Sequence, residues 1–308
     1  MRKLTSRTEI SHKVHLVMRT PLALGFSLLA AACGAVAPPA SQLPDAAGAI
    51  ARLRATGACE TALKAKAKID HFGEHGRVKG DLYMFAAVPA RLRLDAISPF
   101  GVAVATLTSD GKNFALADLR DKRFYVGPAS ACNIARLTTV PLPGHVMVDL
   151  LRGQAPVLKH DSVGTIAWSG KGYYVVTVPG TRGATEELHV VPRPDDLGKP
   201  WDAQRMRLLD VQVWQKGQLL YHAELDGHGT APMSGPLIDS AGLDPPLAPS
   251  GPECEAEVPR RIHVEVPALG EDVMFRYDTI TWNPPLPEGT FIQPPREGMP
   301  LVPVTCNE

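Results

Sequence analysis

The chain has 308 residues, and its 32 basic and 32 acidic side chains give a formal net charge of zero. That length can bury the core of one large domain or of two small ones. No run of basic residues stands out, so the composition argues against binding to nucleic acid.

The N-terminal segment predicts a secretion signal that ends at a cysteine. Residues 22–32 are mostly apolar and lead directly into Cys33. The run is as long as the core of a signal peptide and too short to span a bilayer. Met18, followed by one arginine, makes a better signal start than Met1, so we expect translation to begin there.

The residues before Cys33 resemble a bacterial lipobox, although Ala30 stands where leucine is more usual. The resemblance implies that residues 1–32 are removed and that acyl chains are attached to Cys33. Several chains on one sulfur and its amine would make a stable anchor. Gly34 follows without an aspartate, which by analogy with lipoprotein sorting favours the periplasmic face of the outer membrane. The alternative is an ordinary cleaved signal with an incidental cysteine.

The predicted elements after the anchor begin with a tether and a helix. Residues 33–43 are small and proline-bearing, which suits a lipidated tether, and residues 44–57 predict a helix that stops at Gly57. Further helices are predicted at 131–137 and 144–151.

Strands dominate the rest of the chain. Apolar and charged residues alternate in several segments, which indicates strands with one buried and one solvated face. The strand candidates are 63–70, 80–86, 91–96, 102–108, 113–117, 123–126, 164–169, 173–179, 187–191, 207–214, 219–225, 262–266 and 273–282. Spacers with Gly, Asp or Pro separate most of them and favour antiparallel hairpins.

Two proline-rich stretches interrupt this pattern. Residues 231–259 and residues 284–303 hold seven prolines each. Proline removes a ladder donor, so neither stretch can be a central strand. We predict a surface insertion at 231–259 and an extended C-terminal tail at 284–308.

These elements predict a mainly β fold: a single domain, 44–308, built on one curved antiparallel sheet with a few short helices. A sheet of about ten strands tends to curl into a half-open barrel. The apolar inside must then be filled by side chains, a helix or a ligand.

Four cysteines remain after Cys33, and the oxidising periplasm favours disulfides between them. They are Cys59, Cys132, Cys254 and Cys306. Four cysteines allow three pairings. We favour Cys59–Cys132 with Cys254–Cys306, because each bond would join neighbouring parts of the predicted layout.

Three segments, at 91–107, 142–156 and 259–282, resemble the LolB-like outer-membrane lipoprotein receptors in order and spacing. The resemblance implies a LolA/LolB-like half-open barrel, closed by helices, with an apolar cavity for acyl chains. It implies a monomer that takes lipoprotein cargo from a periplasmic LolA-like carrier and inserts it into the outer membrane. The insertion, the tail and the extra cysteines depart from that family's pattern.

The same resemblance points to the turn Pro99-Phe100-Gly101. In the family an apolar side chain protrudes from a loop in this Pro-x-Gly setting, and Phe100 takes its place here. The residues alone also predict a turn. Burying such a phenylalanine would return about 2 kcal/mol, so the alternative is that Phe100 folds back onto the domain.

Apolar residues on alternating strand faces are the candidates for lining an acyl cavity. They are Leu63, Ala65, Leu92, Leu94, Val102, Val104, Val211 and Val213. A filled core uses the same residue types, so the alternative is that these side chains simply pack against one another.

Two groups of polar residues are candidates for metal sites. His71, Glu74 and His75 match a zinc-peptidase pattern that requires a helix, whereas the flanking glycines predict a hairpin turn. His222, Glu224, Asp226 and His228 are better explained as a solvated strand face. We therefore expect no metal and no cofactor.

No constellation of residues supports catalysis, so the sequence predicts a binding protein and not an enzyme. The first hypothesis is acyl-chain binding and transfer. The second is a structural or sensory envelope lipoprotein that uses the same fold to bind a protein or lipid without transfer. The third, a metal-dependent hydrolase, has the least support.

Overall fold

The computed structural model describes residues 35–74, 76–162 and 164–306. Three α-helices lie among them: α1 Ala46–Gly57, α2 Ala131–Thr138 and α3 Gly144–Leu151. The strands up to the insertion are β1 Ala62–Gly73, β2 Gly76–Ala87, β3 Arg91–Ile97, β4 Ala103–Ser109, β5 Asn113–Asp118, β6 Arg123–Pro128, β7 Thr165–Ser169, β8 Tyr173–Pro179, β9 Ala184–Pro192, β10 Met206–Gln215 and β11 Gln218–Asp226. The later strands are β12 Gly229–Ala231, β13 Ala256–Val258, β14 Arg261–Val266, β15 Glu271–Trp282 and β16 Leu301–Pro303.

One curved, unclosed sheet of 14 strands dominates the described chain, in the order β16-β6-β5-β4-β3-β2-β1-β15-β14-β11-β10-β9-β8-β7. Most neighbours are consecutive antiparallel hairpins, while β1–β15 and β11–β14 join distant parts of the chain. The mainly β fold and all thirteen strand candidates are confirmed. The sequence pattern missed β12, β13 and β16, because three residues are too few to show alternation.

The three helices lie where the sequence predicted them and pack on the inner face of the sheet. The Asp45 side chain caps α1 by accepting a hydrogen bond from the backbone N–H of Gly48 at 2.7 Å. α1 and α3 bury Leu53 and Leu150 in one continuous core that also contains Leu63 and Leu94 from the sheet. Burial of apolar area is the main force that holds helices and sheet together.

The disulfides join Cys59 to Cys254 and Cys132 to Cys306, so the predicted pairing was wrong. The bonded residues lie 195 and 174 positions apart in the sequence, yet their Cα atoms are 6.2 and 6.4 Å apart. The error has a physical cause: the insertion folds back to the start of β1, and the tail returns to α2. Sequence proximity does not report either return.

Asn283 holds the insertion, β1 and β15 together. Its Oδ1 accepts hydrogen bonds from the backbone N–H of Thr61 at 2.9 Å and of Ala62 at 3.2 Å. Its Nδ2 donates to the carbonyls of Cys59 at 2.8 Å and Pro252 at 2.9 Å. The side chain is fully buried, and it satisfies four backbone groups, among them the buried N–H of Ala62.

The C-terminal tail crosses the outer face of the sheet and then joins its edge. Phe291 is buried beside Ala62, and Gln293 donates to the carbonyl of Thr106 at 2.8 Å. β16 then pairs in parallel with β6. Gly127 permits this approach, because a Cβ there would lie 2.2 Å from the carbonyl oxygen of Val304.

Residues 35–43, predicted as a tether, lie against the β7–β8 hairpin. Val36 donates from its backbone N–H to the carbonyl of Gly170 at 2.9 Å, and Trp168 donates to the carbonyl of Val36 at 2.8 Å. The predicted signal and Cys33 lie outside the described residues. No helix in the described ranges has the length and apolar character to cross a membrane.

Candidate functional site

The turn between β3 and β4 presents Phe100 to solvent. Gly101 donates to the carbonyl of Ser98 at 2.9 Å, and Ser98 donates to the carbonyl of Val102 at 2.8 Å. Gly101 has a φ of +79°, which a residue with a side chain rarely adopts. Phe100 is 92% exposed, so its side chain does not fold back onto the domain.

Further exposed apolar residues lie on the neighbouring β1–β2 hairpin. Phe72 and Val78 are 61% and 58% exposed. The pairing of Asp81 with Ile97 places this hairpin directly beside the strand that leads into the Phe100 turn. We call Phe72, Val78 and Phe100 the apolar tip.

Basic side chains flank the apolar tip. Pro99 and Lys79 line one groove of about 460 Å³. Asp70 accepts hydrogen bonds from Arg77, and this contact lowers the pKa of the Asp70 carboxyl to about 2. Lys79 lies 3.4 Å from the same carboxylate, so two cations share one anion. The apolar tip therefore lies beside basic side chains whose carboxylate partners Asp70 and Asp81 line the same groove.

Six of the eight cavity candidates lie on the inner face, where neighbouring side chains pack against them. Leu63, Ala65, Leu92, Leu94, Val211 and Val213 are at most 4% exposed and belong to the continuous core. Helices α1 and α3 contribute to the same core. In the described structure these positions therefore act as packed core, and no ligand fits among them without movement of the helices.

The two remaining candidates, Val102 and Val104, do not share that face. The register shifts between Ala96 and Ile97, where a bulge inserts an extra residue in β4. Ala105 and Leu107 pair with Ala96 and Leu94 and face the core, so strand alternation turns Val104 away from it. Val102 precedes β4 and is 64% exposed, so placing it in the cavity was wrong.

A groove of about 280 Å³ separates α1 from α3, and Arg152 lies in it. Arg152 donates to the carbonyls of Gly57 and Glu60 and pairs with Asp149 at 3.1 Å. Burial raises the pKa of the Asp149 carboxyl to about 6, although the Arg152 charge opposes that rise. These contacts tie the ends of the two helices together over the inner face.

The residues of the predicted zinc-peptidase pattern do not form a helix. His71 lies in β1, is buried and contacts the carboxylate of Glu271. Glu74 lies in the turn that follows, and His75 falls outside the described residues. The zinc-peptidase arrangement needs its histidines on one helical face, which a strand ending in a turn does not provide.

The fold separates the four residues of the second candidate metal group. His222 and Glu224 share the outer face of β11 with Asp210 of β10. Asp226 instead pairs with Arg261 at 2.6 Å, and His228 is half-buried near Arg207. The sequence did not reveal that further His and carboxylate residues continue this row, because they come from other strands.

No family model matches the sequence, and no curated protein matches it. Solved structures with weak likeness include a DUF1329 family protein from Desulfovibrio piger, with a TM-score of 0.44, 11% identity, and coverage of 79% of this chain and 93% of that chain. A LolA superfamily protein from Nitrosomonas europaea gives a TM-score of 0.43 and 10% identity over 81% of this chain and 98% of that chain. Likeness at this level carries no argument about function.

Proposed function

We propose that the protein is a lipid-anchored envelope protein of the outer membrane that receives acylated proteins, with the apolar tip as its first contact for their acyl chains. The exposure of Phe100, 92% on a hydrogen-bonded turn, carries the proposal. A large apolar side chain held in water costs free energy that an apolar partner recovers, about 2 kcal/mol for one phenylalanine. Acyl chains are such a partner.

Transfer of this kind needs no cofactor and no energy source. It runs downhill when the receiving protein binds acyl chains more tightly than the carrier, and the bilayer more tightly still. A lipid anchor on Cys33 would keep the protein at the receiving membrane. For chains to enter the inner face, α1 and α3 must separate, and the Arg152 contacts are the ones that break.

A second candidate is a structural or sensory envelope lipoprotein that binds another protein. The filled core favours this alternative, because a protein partner needs only the surface. In that case the apolar tip and its basic flank would contact the partner, and the helices would stay in place. The two candidates differ in what the tip touches and in whether the core opens.

Depletion in the native host, followed by membrane fractionation, tests the proposal. Receiving acylated proteins predicts that outer-membrane lipoproteins accumulate with their carrier when the protein is depleted. Complementation by Phe100→Glu should fail, whereas Leu243→Glu should succeed, since Leu243 is 86% exposed but lies in the insertion. Normal sorting in depleted cells would remove the proposal and leave the second candidate.

The lipid anchor has its own test. Growth with a labelled fatty acid should label the wild-type protein, and Cys33→Ser should lose both the label and membrane association. A labelled Cys33→Ser variant would place the acyl chain elsewhere. A soluble, unlabelled wild type would mean that Cys33 is incidental to an ordinary signal.

A further inference from the structure

A row of imidazoles and carboxylates crosses the outer face of five adjacent strands. Pairing register aligns its members from β9 through β10, β11 and β14 to β15. The members are Glu187, His189, Asp210, His222, Glu224, His263, Glu265 and Asp272. Each histidine has a carboxylate within 4.0 Å of each of its ring nitrogens.

His263 lies at the most complete point of this row. Its Nε2 is 2.8 Å from Asp272 Oδ1 and 3.8 Å from Glu265 Oε1. One donor atom from each of these three residues lies within 4.8 Å of the others. On the other side of the ring, Nδ1 is 3.3 Å from Glu224 Oε2.

Carboxylates outnumber imidazoles at this point of the row. Glu265 and Asp272 lie directly opposite each other on β14 and β15, a placement of like charges that destabilises a sheet. Among the described residues, the ion-pair partners of Glu224, Glu265 and Asp272 are His222 and His263 alone. Arg77 and Arg276 line the groove at this point but are not among those partners, so a cation bound between Glu265 and Asp272 would relieve their mutual repulsion.

We propose that His263 Nε2, Glu265 and Asp272 form a zinc site on the outer face of the sheet. One imidazole and two carboxylates are ligands that Zn²⁺ takes, and three protein ligands leave the fourth position open to water or to a ligand. Glu224 then accepts the Nδ1 proton of His263, which fixes the ring and its tautomer, as carboxylates behind zinc-bound histidines do.

Solvent reaches this site directly. His263 and Asp272 line a groove of about 350 Å³ together with Phe72 and Arg77. The three ligands are half-buried, with His263 21% and Asp272 44% exposed in their side chains. Zn²⁺ can therefore enter and leave without unfolding, and the bound ion would lie beside the hairpin that carries Phe72.

Calorimetric titration of the EDTA-stripped, detergent-solubilised full protein with ZnCl₂ tests the site. We expect one Zn²⁺ per chain. His263→Ala and Asp272→Asn should lower the affinity at least about tenfold, and Glu224→Gln should lower it by about 10–100-fold, as loss of a supporting carboxylate does. Binding of Co²⁺ should give the intense visible bands of tetrahedral coordination, and His263→Ala should abolish them.

Matched variants separate this site from unspecific binding. Glu187→Gln removes a carboxylate from the far end of the same row, and His160→Ala removes a histidine outside the row. Both should bind zinc like the wild type. The proposal is overturned if the wild type takes up no zinc, if His263→Ala binds it unchanged, or if only Asp210→Asn abolishes binding.

Discussion

Arg152 donates a hydrogen bond from Nη2 to the carbonyl oxygen of Gly57 at 3.3 Å, joining the end of α3 to the last residue of α1. Its guanidinium also contacts Asp149, and the residue is 4% exposed. Removing the cation leaves a carboxylate and two carbonyls without their partner in a buried place.

Arg152→Ala should therefore lower the free energy of unfolding by about 3 kcal/mol, as the loss of one partner from a buried ion pair does. If acyl chains enter between the helices, the variant should also bind a fluorescent fatty acid more tightly than the wild type. Denaturant titration and fluorescence measure the two effects. Arg54→Ala, in the same groove, is the control; equal stability of both variants would contradict the role of Arg152.

Asn283→Ala should be among the most destabilising single substitutions in the domain. It removes the partner of four backbone groups, and each of them that stays buried and unsatisfied costs about 1–3 kcal/mol. Asn283→Asp should be no milder in denaturant titration, because it keeps the acceptor for Thr61 and Ala62 but turns a buried carboxylate oxygen toward the carbonyls that Nδ2 now contacts. A loss under about 1 kcal/mol for the alanine variant would show that these groups find other partners.

Peptide mapping without reduction should find the Cys59–Cys254 and Cys132–Cys306 bonds. Replacing either pair by serine should lower the free energy of unfolding by about 5 kcal/mol at most, since each bond closes a very long loop. Recovery of Cys59–Cys132 would instead refute the return of the insertion to β1. Thermal unfolding of the two double variants checks the size of the effect.

We expect the free energy of unfolding to fall as the pH rises, because of the buried carboxyl group of Glu186. The side chain is fully buried, and burial raises its pKa from 4.5 to about 7. The folded state thus keeps a proton that the unfolded chain releases above its ordinary pKa, so stability is lost between about pH 4.5 and pH 7. Each carboxyl group whose pKa is raised in this way lowers the free energy of unfolding by about 3 kcal/mol at most.

Glu186→Gln keeps an acceptor for the backbone N–H of Leu158, which lies 2.9 Å from the carboxylate. It should raise the melting temperature at pH 8 and flatten the pH dependence. Part of the slope should remain, because burial also raises the pKa of Glu60 to about 7. Glu297→Gln, on the exposed tail, should change neither; an unchanged slope in Glu186→Gln would mean that this carboxyl titrates normally.

Local patterns were sufficient for the helices and for the longer strands. Alternation such as that of residues 63–70 reports a half-buried strand directly, and Gly57 and Gly153 mark where helices stop. The turn at Phe100 was also readable, since Pro99 and Gly101 set its backbone, whereas its exposure was expected only from the resemblance. Each of these signals lies within a few residues of the feature it predicts.

Features that depend on distant returns of the chain were not readable. The disulfide pairing required the path of the insertion and the tail, and the pairing of β4 with β3 decided which of its alternate residues face the core. The zinc ligands come from two strands, and Asp272 stands opposite Glu265 only because β14 and β15 pair in that register. A filled core and a cavity also need the same apolar residues, so only the packing of the folded chain distinguishes them.

The pairing of β16 with β6 protects the protein against self-association. An open sheet has two lateral strands whose free amides and carbonyls can recruit another chain and start aggregation. Here the tail covers β6, held by the Cys132–Cys306 bond, and the opposite lateral strand β7 has only five residues. Reduction of that bond should release the tail from β6. The exposed strand could then pair with another chain and start fibre growth.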